Sequence, residues 1–347
     1  MKIGDRIIGA GQRPYVIAEM SGNHNHSLDR AFEIVDAAAA NGADAIKLQT
    51  YTAGTMTLNV RMPGFVIEDP ASLWDGRQLY ELYQEACTPW EWHRPIMERA
   101  AGHGLHCFSS PFDATAVDFL ESLGVAVYKI ASFEIIDLPL ITKVASTGKP
   151  MIMSTGMATA GEIDDAVRAA RDAGCTDLML LKCTSTYPAR AENTNIATIP
   201  HMRAMFGCEV GLSDHTMGSG VAVAAVALGA TLIEKHFTLA RADGGVDSAF
   251  SMEPHELRQL CDEVENARLA LGQVSYGPTP AELRSLAFRR SLYIAVDVKV
   301  GDILDETRVR AVRPGFGLPP KFIGSVIGRR ASRDAPAGTP VSWDLLA

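Results

Sequence analysis

The chain has 347 residues, of which 47% are hydrophobic and 21% are charged, and this length suffices for one large core plus a smaller module. A formal net charge of −9 and six cysteines without a C-x-x-C pair argue against a general nucleic-acid binder, a zinc ribbon and a disulfide framework. No apolar run approaches the roughly 20 residues of a membrane-spanning helix, and residues 1–14 lack the layout of a signal peptide, so we expect a cytoplasmic globular protein with no membrane partner.

Eight short apolar segments recur along the chain, with amphipathic helical patterns between them. We predict strands at residues 15–19, 45–49, 105–109, 126–130, 151–154, 178–182, 209–213 and 232–236. Eight strand-then-helix units over about 250 residues match the (β/α)₈ TIM barrel better than an open doubly wound sheet. The number of strands does not show closure by itself, so the open sheet is the alternative.

Helix starts and one long connection are also readable. The spacings Thr88 to Glu91 and Thr159 to Glu162 are typical of capping boxes and predict two helix N-termini.

Residues 51–78, between the second strand and its helix, are rich in Pro and Gly. A connection of this length predicts a lid or substrate loop.

The pattern changes towards the C-terminus. Residues 276–280 form a Pro- and Gly-rich linker, and from Arg289 onward short β-like pieces replace the strand and helix alternation. Residues 289–347 carry ten Lys or Arg against six Asp or Glu, a balance of +4, whereas the rest of the chain is acidic. We therefore predict a barrel domain at residues 1–281, followed by a linker and a small domain at residues 282–347.

Seven of the eight predicted strands end in, or just before, a polar residue of a type that enzymes use. In a closed barrel the C-terminal ends of the strands converge on one face, where the active sites of this fold lie. These residues are Glu19, Lys47, Ser109 and Ser110, Lys129, Ser154, Ser213 with His215, and Glu234 with His236.

Two histidines predict a metal site. His215 and His236 end the adjacent seventh and eighth strands, and two imidazoles side by side suit Mn²⁺, Mg²⁺, Co²⁺ or Zn²⁺. Closure would bring Glu19 of the first strand and Glu234 towards the same place. A role confined to hydrogen bonding on the rim is the alternative.

Lysines and serines predict an anion pocket. Lys47, Lys129 and Lys182 lie on the second, fourth and sixth strands, and a lysine inside a barrel is costly unless it faces an anion. Hydroxyl donors that suit a phosphate or a carboxylate follow nearby strands, at Ser110, Ser132, Ser154, Ser185 and Ser213. The alternatives are a Schiff-base lysine and structural ion pairing with Glu19 or Glu234.

The same segments resemble the sialic acid synthase family over nearly the whole chain. The motifs that carry this resemblance are IAE at 17–19, NH at 23–24, GADAIKLQT at 42–50, FSSPF at 108–112, YKIAS at 128–132, GLSDH at 211–215 and IEKHF at 233–237. The last 59 residues, with RSL at 290–292 and VRPG at 312–315, resemble the family's antifreeze-like (SAF) cap domain.

The resemblance implies a TIM barrel that condenses phosphoenolpyruvate with an amino-sugar aldehyde, assisted by a divalent metal on His215 and His236. Glu19 or Glu234 would handle the proton, and Lys47 and Lys129 would neutralise the phosphoenolpyruvate, held with Ser110, Ser132, Ser154, Ser185 and Ser213. Asn23, Tyr187 and Asp247 are the further expected substrate contacts, although a turn role fits Asn23 and Asp247 as well. A homodimer with swapped cap domains is also implied, in which Arg313 reaches the partner's sugar.

Within the family, several stretches are similar to the branch that makes pseudaminic acid. They are LWD at 73–75, LYELY at 79–83, TPWEWH at 88–93, KCTSTYP at 182–188 and GLPPKF at 317–322. The N-acetylneuraminate branch usually has Asn where this chain has Ser185. The same chemistry on the N-acetylneuraminate or legionaminic acid precursor, a pyruvate aldolase, and a non-catalytic carbohydrate-binding protein remain the alternatives.

Overall fold

The computed structural model describes residues 1–70 and 72–347. The chain divides into two compact units, Met1–Gly272 and Gln273–Ala347. The Pro- and Gly-rich segment at 276–280 therefore lies at the start of the second unit, and the domain boundary between residues 281 and 282 stays a prediction.

The first unit contains a closed barrel of eight parallel strands, which confirms the predicted fold class. A short antiparallel hairpin, β1 (Lys2–Ile3) and β2 (Arg6–Ile7), precedes it. The barrel strands are β3 (Tyr15–Glu19), β4 (Ala45–Thr50), β5 (His106–Pro111), β6 (Tyr128–Ile130), β7 (Met151–Ser154), β8 (Leu178–Cys183), β9 (Glu209–Asp214) and β10 (Leu232–His236). Strand β10 pairs with β3 and closes the sheet, so the two ends of the barrel sequence are neighbours in space.

Helices follow the strands around the outside. They are α1 (Leu28–Ala40), α2 (Ala53–Met56), α3 (Leu79–Ala86), α4 (His93–Gly102), α5 (Ala114–Leu123), α6 (Leu138–Ala145), α7 (Ala160–Asp172), α8 (Thr198–Phe206), α9 (Gly220–Ala227) and α10 (Pro254–Leu271). Among the described helices, none has the length and apolar character needed to cross a bilayer.

One of the two predicted capping boxes is present. Thr159 accepts a hydrogen bond from the Glu162 amide while the Glu162 carboxylate accepts one from the Thr159 amide, and helix α7 begins there. The box predicted at Thr88 was wrong: a 3₁₀ turn at Trp90–Trp92 precedes α4, and the buried Thr88 hydroxyl contacts His24 Nε2 at 3.2 Å instead. A buried hydroxyl with a partner across the fold is not free to cap the next helix.

The alternation along the strands separates an apolar barrel interior from a polar rim. Inward positions below the rim, such as Tyr15, Ile152 and Leu232, pack with Ile3 and Ile8 from the N-terminal hairpin region. The inward positions nearest the C-terminal ends of the strands are polar. Because side chains repeat every two residues along a strand, the same alternation that fills the core places the polar residues together at one mouth.

The second unit has its own core. Strands β11 (Ser291–Ile294) and β12 (Val309–Val312) form an antiparallel pair, and helix α11 (Ile323–Val326) follows. The core residues of this unit include Leu292, Val309 and Val326. The unit is therefore a small β-rich module, as predicted for the C-terminal domain.

Candidate active site

Two lysines and two glutamates form a buried ion cluster at the mouth of the barrel. Lys47 Nζ lies 2.5 Å from Glu19 Oε2 and 3.9 Å from Glu234 Oε2, and Lys129 Nζ lies 3.6 Å from Glu234 Oε1. All four side chains are at most 7% exposed. Removing charges from water to this extent is costly unless they neutralise one another or a ligand. Ion pairing of the lysines, one of the alternatives left open by the sequence, is thus present.

Burial and the neighbouring charges separate the two carboxyl groups. Burial raises the pKa of Glu19 to about 7, Lys47 opposes the shift and Glu234 adds to it. Burial also acts to raise the pKa of Glu234, but Lys129 and Lys47 outweigh it and hold that pKa below its usual value. Glu19 is therefore able to take up and release a proton near neutral pH, whereas Glu234 stays an anion.

Two serines extend this cluster. The Lys47 ammonium group donates a hydrogen bond of 3.3 Å to Ser110 Oγ, and Ser213 Oγ donates one of 3.0 Å to Glu234 Oε1. The strand register explains the second contact, because Ser213 and Glu234 are paired residues of β9 and β10. Six of the predicted site residues thus share one network of ion pairs and hydrogen bonds, namely Glu19, Lys47, Ser110, Lys129, Ser213 and Glu234.

Two of the remaining three predicted serines, Ser132 and Ser185, lie at a close backbone approach at Gly156. The Gly156 amide donates a hydrogen bond of 3.1 Å to Ser132 Oγ. A Cβ atom at Gly156 would overlap with Ser185 Oγ and lie 2.8 Å from Ser132 Oγ, so this position requires glycine. The buried Ser154 Oγ has no hydrogen-bond partner among the described residues. We call Ser132, Ser154 and Ser185, together with the Gly156 backbone, the serine cradle. Hydroxyl groups and backbone arranged in this way suit an anion.

His215 and His236 lie beside the ion cluster with their ring centroids 5.4 Å apart. His215 Nδ1 lies 2.8 Å from the Thr184 carbonyl oxygen, to which it donates, leaving Nε2 as an acceptor. Burial, followed by the effect of His215, lowers the pKa of His236 well below its ordinary value, and its buried Nδ1 has no hydrogen-bond partner within residues 1–70 and 72–347. Burial acts to lower the pKa of His215 as well, but Cys183 and the Thr184 carbonyl outweigh it and raise that pKa above its ordinary value. In their neutral forms two adjacent imidazoles fit a divalent metal.

A metal held here would have few protein ligands. The part of the chain that the structure describes holds no cluster of three or more His, Cys, Asp or Glu placed as a ligand set. Two imidazoles would supply the protein ligands, and oxygen atoms of substrate or solvent would complete the coordination, as in sites that keep open positions for chemistry.

A cavity of about 300 Å³ opens beside His236, which lines it. Its aromatic wall centres on Tyr187, whose ring lies 4.4 Å from that of His215 and 5.9 Å from that of Trp74. Trp74 belongs to the predicted lid segment at 51–78, within which Ala71 lies outside the described residues. The lining residues are Ser21, Gln49, Tyr51, Met56, Ile67, Trp74, Leu79, Leu82, Tyr83, Ala86, Phe112, Ala131, Phe133, Glu134, Tyr187, His236, Val246 and Asp247.

Asp247 reaches this cavity, whereas Asn23 does not line it. Ser21 Oγ donates a short hydrogen bond to Asp247 Oδ2, and both residues line the cavity. The Asn23 amide group donates to the Phe237 carbonyl oxygen and to Ser251 Oγ, both at 2.9 Å. The Asn23 side chain therefore ties the loop after β3 to the segment after β10, which is neither the substrate contact nor the local turn role expected from the sequence.

Lys182 was wrongly expected to share the rim with Lys47 and Lys129. Its neighbours Leu181 and Cys183 occupy inward positions of β8, so Lys182 points to the opposite face of the sheet. It is half-buried, donates to the Cys183 carbonyl oxygen at 2.7 Å, and forms no ion pair with any described residue. Arg313 lies in the second unit, directly after β12.

Sequence reasoning missed two polar residues of the site. Glu134 lines the cavity, burial raises its pKa to about 7, and its buried Oε2 atom has no hydrogen-bond partner among the described residues. Gln49 lines the same cavity and donates to Glu19 Oε1 at 3.1 Å. Strand alternation predicts the position of Gln49, because it lies two residues after Lys47 on the same face of the strand. Glu134 lies in a 3₁₀ turn, where no such alternation indicates which way a side chain points.

Comparisons with known proteins show which family the chain belongs to. The NeuB family model matches residues 34–276 and the SAF domain model matches residues 289–347. The chain is 44% identical to the pseudaminic acid synthase of Helicobacter pylori, covering 96% of this chain and 98% of that protein. It is 35% identical to the N,N'-diacetyllegionaminic acid synthase of Legionella pneumophila, covering 97% of this chain and 96% of that protein.

Solved structures give the same result. A crystal structure of an N-acetylneuraminic acid synthetase from Leptospira borgpetersenii matches with a TM-score of 0.73 and 30% identity, covering 82% of this chain and 94% of that one. The Bacillus subtilis spore coat polysaccharide biosynthesis protein SpsE matches with a TM-score of 0.68 and 32% identity, covering 100% of this chain and 99% of that one. The chain therefore belongs to the NeuB family, the sialic acid synthases, as a condensing enzyme with a C-terminal SAF domain.

Proposed function

We propose that this enzyme is a pseudaminic acid synthase. It would condense phosphoenolpyruvate with open-chain 2,4-diacetamido-2,4,6-trideoxy-L-altrose and water, giving pseudaminic acid and phosphate. The observation that carries the proposal is a buried cluster of two lysines and two glutamates beside the histidine pair His215 and His236. The cluster consists of Lys47, Lys129, Glu19 and Glu234. Identities of 43–44% to pseudaminic acid synthases from Helicobacter pylori and Campylobacter jejuni support the choice of sugar.

Phosphoenolpyruvate would lie between the ion cluster and the serine cradle. Lys47 and Lys129 supply positive charge, while Ser110, Ser132, Ser154, Ser185 and Ser213 supply hydroxyl groups. The contribution of these residues is orientation and charge neutralisation, which fix carbon 3 of phosphoenolpyruvate beside the aldehyde. The unpartnered Ser154 hydroxyl and the close approach at Gly156 support an anion at this place.

The reaction needs one proton acceptor and one proton donor. Carbon 3 of phosphoenolpyruvate forms a bond to the aldehyde carbon, whose oxygen takes up a proton. Water adds to carbon 2 and loses one proton. The C–O bond to phosphate then breaks as the new hydroxyl group on carbon 2 becomes the carbonyl group of the product, and the proton of that hydroxyl group leaves with the phosphate. Glu19, whose pKa is raised by burial to about 7, is suited to take the proton of the water, and Glu134 in the cavity wall is a second carboxyl group able to exchange one.

His215 and His236 would hold a divalent metal, with Mn²⁺, Mg²⁺ and Co²⁺ as the preferred ions. When bound, such a metal supplies Lewis-acid polarisation of the aldehyde oxygen. The Thr184 carbonyl fixes the His215 ring, and Tyr187 packs against both imidazoles, at 4.4 Å from His215 and 6.2 Å from His236. These contacts hold the two rings in place. Asp247, held by Ser21, would bind polar groups of the sugar.

The assembly and location are part of the proposal. A homodimer with swapped SAF domains, in which Arg313 of one subunit contacts the sugar in the partner's barrel, follows from the family resemblance. Cytoplasmic location likewise stays a prediction. The basic balance of residues 289–347 against the acidic remainder of the chain is consistent with such an exchange of domains.

The test is phosphate release from phosphoenolpyruvate by the metal-loaded enzyme. The trideoxy-altrose sugar, N-acetylmannosamine and the legionaminic acid precursor are offered in parallel. Turnover of the first sugar at a kcat/KM at least tenfold above the others supports the proposal. Turnover of another sugar in its place overturns the substrate while keeping the chemistry. Turnover with pyruvate instead of phosphoenolpyruvate, with an imine trapped by borohydride, would indicate a lysine-dependent aldolase.

A further inference from the structure

We infer that the lid selects the sugar by an apolar wall that accepts a methyl group and rejects a hydroxyl group. The wall consists of Met56 and Ile67 of the lid segment and of Leu79, Leu82 and Ala86 of the helix α3 that follows it, and these five cavity-lining residues are called the lid wall. This inference rests on the proposed function, because it concerns which amino sugar the same cavity accepts.

The chemistry of the cavity lining is divided by sequence origin. Its polar side chains come from the barrel strands and the loops that follow them, and include Gln49, Glu134, His236 and Asp247. The segment from residue 56 to residue 86 contributes aliphatic and aromatic side chains. The carboxyl and imidazole groups of the lining thus all come from the strand ends and their loops, whereas the segment from residue 56 to residue 86 supplies hydrocarbon together with the Trp74 indole and the Tyr83 phenol.

The lid wall also offers little free hydrogen bonding from its backbone. The amides of Ile67 and Leu79 donate hydrogen bonds of 2.9 Å to the carbonyl oxygens of Arg77 and Phe65. The Leu82 amide donates one of 3.0 Å to Gln78, and the Met56 amide one of 3.2 Å to Thr52. A sugar hydroxyl placed against this wall would lose its water without gaining a donor from these amides.

A methyl group at the same position has the opposite outcome, since it buries apolar surface against the wall. The proposed sugar has no oxygen on carbon 6. Its counterpart with a hydroxyl on carbon 6, 2,4-diacetamido-2,4-dideoxy-L-altrose, differs from it in one oxygen atom. Apolar pockets discriminate against an added hydroxyl by up to about 100-fold, so we expect the wild-type enzyme to prefer the 6-deoxy sugar by about 10- to 100-fold in kcat/KM.

The experiment measures this preference in lid variants through phosphate release. Met56→Gln introduces an amide of similar length into the wall and is expected to lower the preference at least about fivefold, as hydrogen bonding rescues the hydroxylated sugar. Met62→Gln, the same change at a lid residue that is 61% exposed and does not line the cavity, is expected to leave the preference unchanged. Met56→Leu, which keeps the wall apolar, is expected to retain it.

If Met56→Gln does not fold, Ile67→Thr adds a hydroxyl group to the same wall and carries the same test. A wild-type preference near one, or an unchanged preference in Met56→Gln and Ile67→Thr, overturns the lid-wall inference. Turnover of the 6-deoxy sugar in that case leaves the proposed function intact. Turnover of N-acetylmannosamine alone, with neither altrose sugar accepted, would instead overturn the proposed function and this inference together.

Discussion

The indole Nε1 of Trp74 donates a hydrogen bond of 2.9 Å to the carbonyl oxygen of Val246, 172 residues away in the sequence. The contact joins the lid segment after β4 to the loop after β10, next to Asp247. Trp74 also packs against Tyr187 at 5.9 Å and Phe250 at 6.4 Å. One side chain therefore holds together two loops that line the cavity.

Trp74→Phe is expected to weaken sugar binding while keeping the ring packing. Loss of one hydrogen bond, worth about 0.5–1.5 kcal/mol, corresponds to a rise of about 2- to 10-fold in the KM for the sugar. The KM for phosphoenolpyruvate should stay within about twofold, because the ion cluster and the serine cradle are untouched. Trp92→Phe, at a tryptophan that packs on His24 and does not line the cavity, is the control. Equal changes in both variants would contradict a role for the Val246 contact.

Lys129→Met is expected to lower kcat/KM for phosphoenolpyruvate by about 100-fold or more, because it removes a buried charge from the proposed anion site. Lys182→Met is the matched control, since Lys182 lies on the outer face of β8 and bonds to its own neighbour's carbonyl. We expect less than about a threefold effect there. Steady-state phosphate release and a titration of phosphoenolpyruvate binding distinguish the two. A loss in Lys182→Met as large as in Lys129→Met would contradict the assignment of the anion pocket.

His236→Ala is expected to lower kcat by about 1,000-fold, since Lewis-acid assistance contributes several kcal/mol to such reactions. Equilibrium dialysis with Mn²⁺ should show weaker metal binding in the same variant, with an unchanged circular dichroism spectrum. His255→Ala, at a side chain that is 74% exposed, is the control for the substitution itself. Retention of full Mn²⁺ affinity in His236→Ala would show that the metal binds elsewhere.

The residues at the inward ends of the strands were predictable, because side chains alternate between the two faces of a strand. Tyr15, Ile17 and Glu19 lie on one face of β3, and the apolar residues at the first two positions mark that face as interior. The same alternation along β8 places Lys182 on the outer face, because its neighbours Leu181 and Cys183 are the inward residues. The alternation also places Gln49 on the same face of β4 as Lys47, since it lies two residues further along the strand.

The packing of the lid and the contacts around Gly156 could not be predicted from the sequence, for a different reason. Gly156, Ser132 and Ser185 belong to three separate loops that meet in the folded chain. Loop residues follow no regular spacing, so the sequence does not show which of them become neighbours. Glu134 likewise lies in a 3₁₀ turn. The lid was recognised by its length, but which of its residues line the cavity depends on tertiary packing.

Stability is expected to fall in mild acid because of His93. Burial lowers the pKa of His93 to about 4, opposed by the carbonyl groups of Pro89 and Trp90 and by the charge of Glu91. The unfolded chain takes up a proton on this histidine near pH 6.5, before the folded state does, so stability is complete above pH 6.5 and is lost as the pH falls towards 4. The shift corresponds to roughly 3 kcal/mol at most.

The measurement for this prediction is the urea midpoint at pH 7.5 and at pH 5 for wild type and His93→Gln. Glutamine does not titrate, so the difference between the two midpoints should shrink in the variant, although its stability at pH 7.5 will be lower through the lost contact with Thr50. His201→Gln, at an exposed position, should keep the wild-type difference. An undiminished difference in His93→Gln would assign the acid sensitivity to other groups, of which the buried His24 is the first to test.

Arg313 provides the test of the swapped dimer. If Arg313 of one subunit completes the partner's site, Arg313→Ala and His236→Ala homodimers are both inactive, but a mixed dimer contains one site with an intact barrel and an intact Arg313. Random co-assembly of the two variants would then give about one quarter of the wild-type activity. If Arg313 acts on its own barrel, each subunit in the mixed dimer carries one defect and activity stays at the level of the variants. Co-expression with two affinity tags isolates the mixed dimer, and a Lys321→Ala variant in place of Arg313→Ala controls for the loss of a positive charge in the second unit.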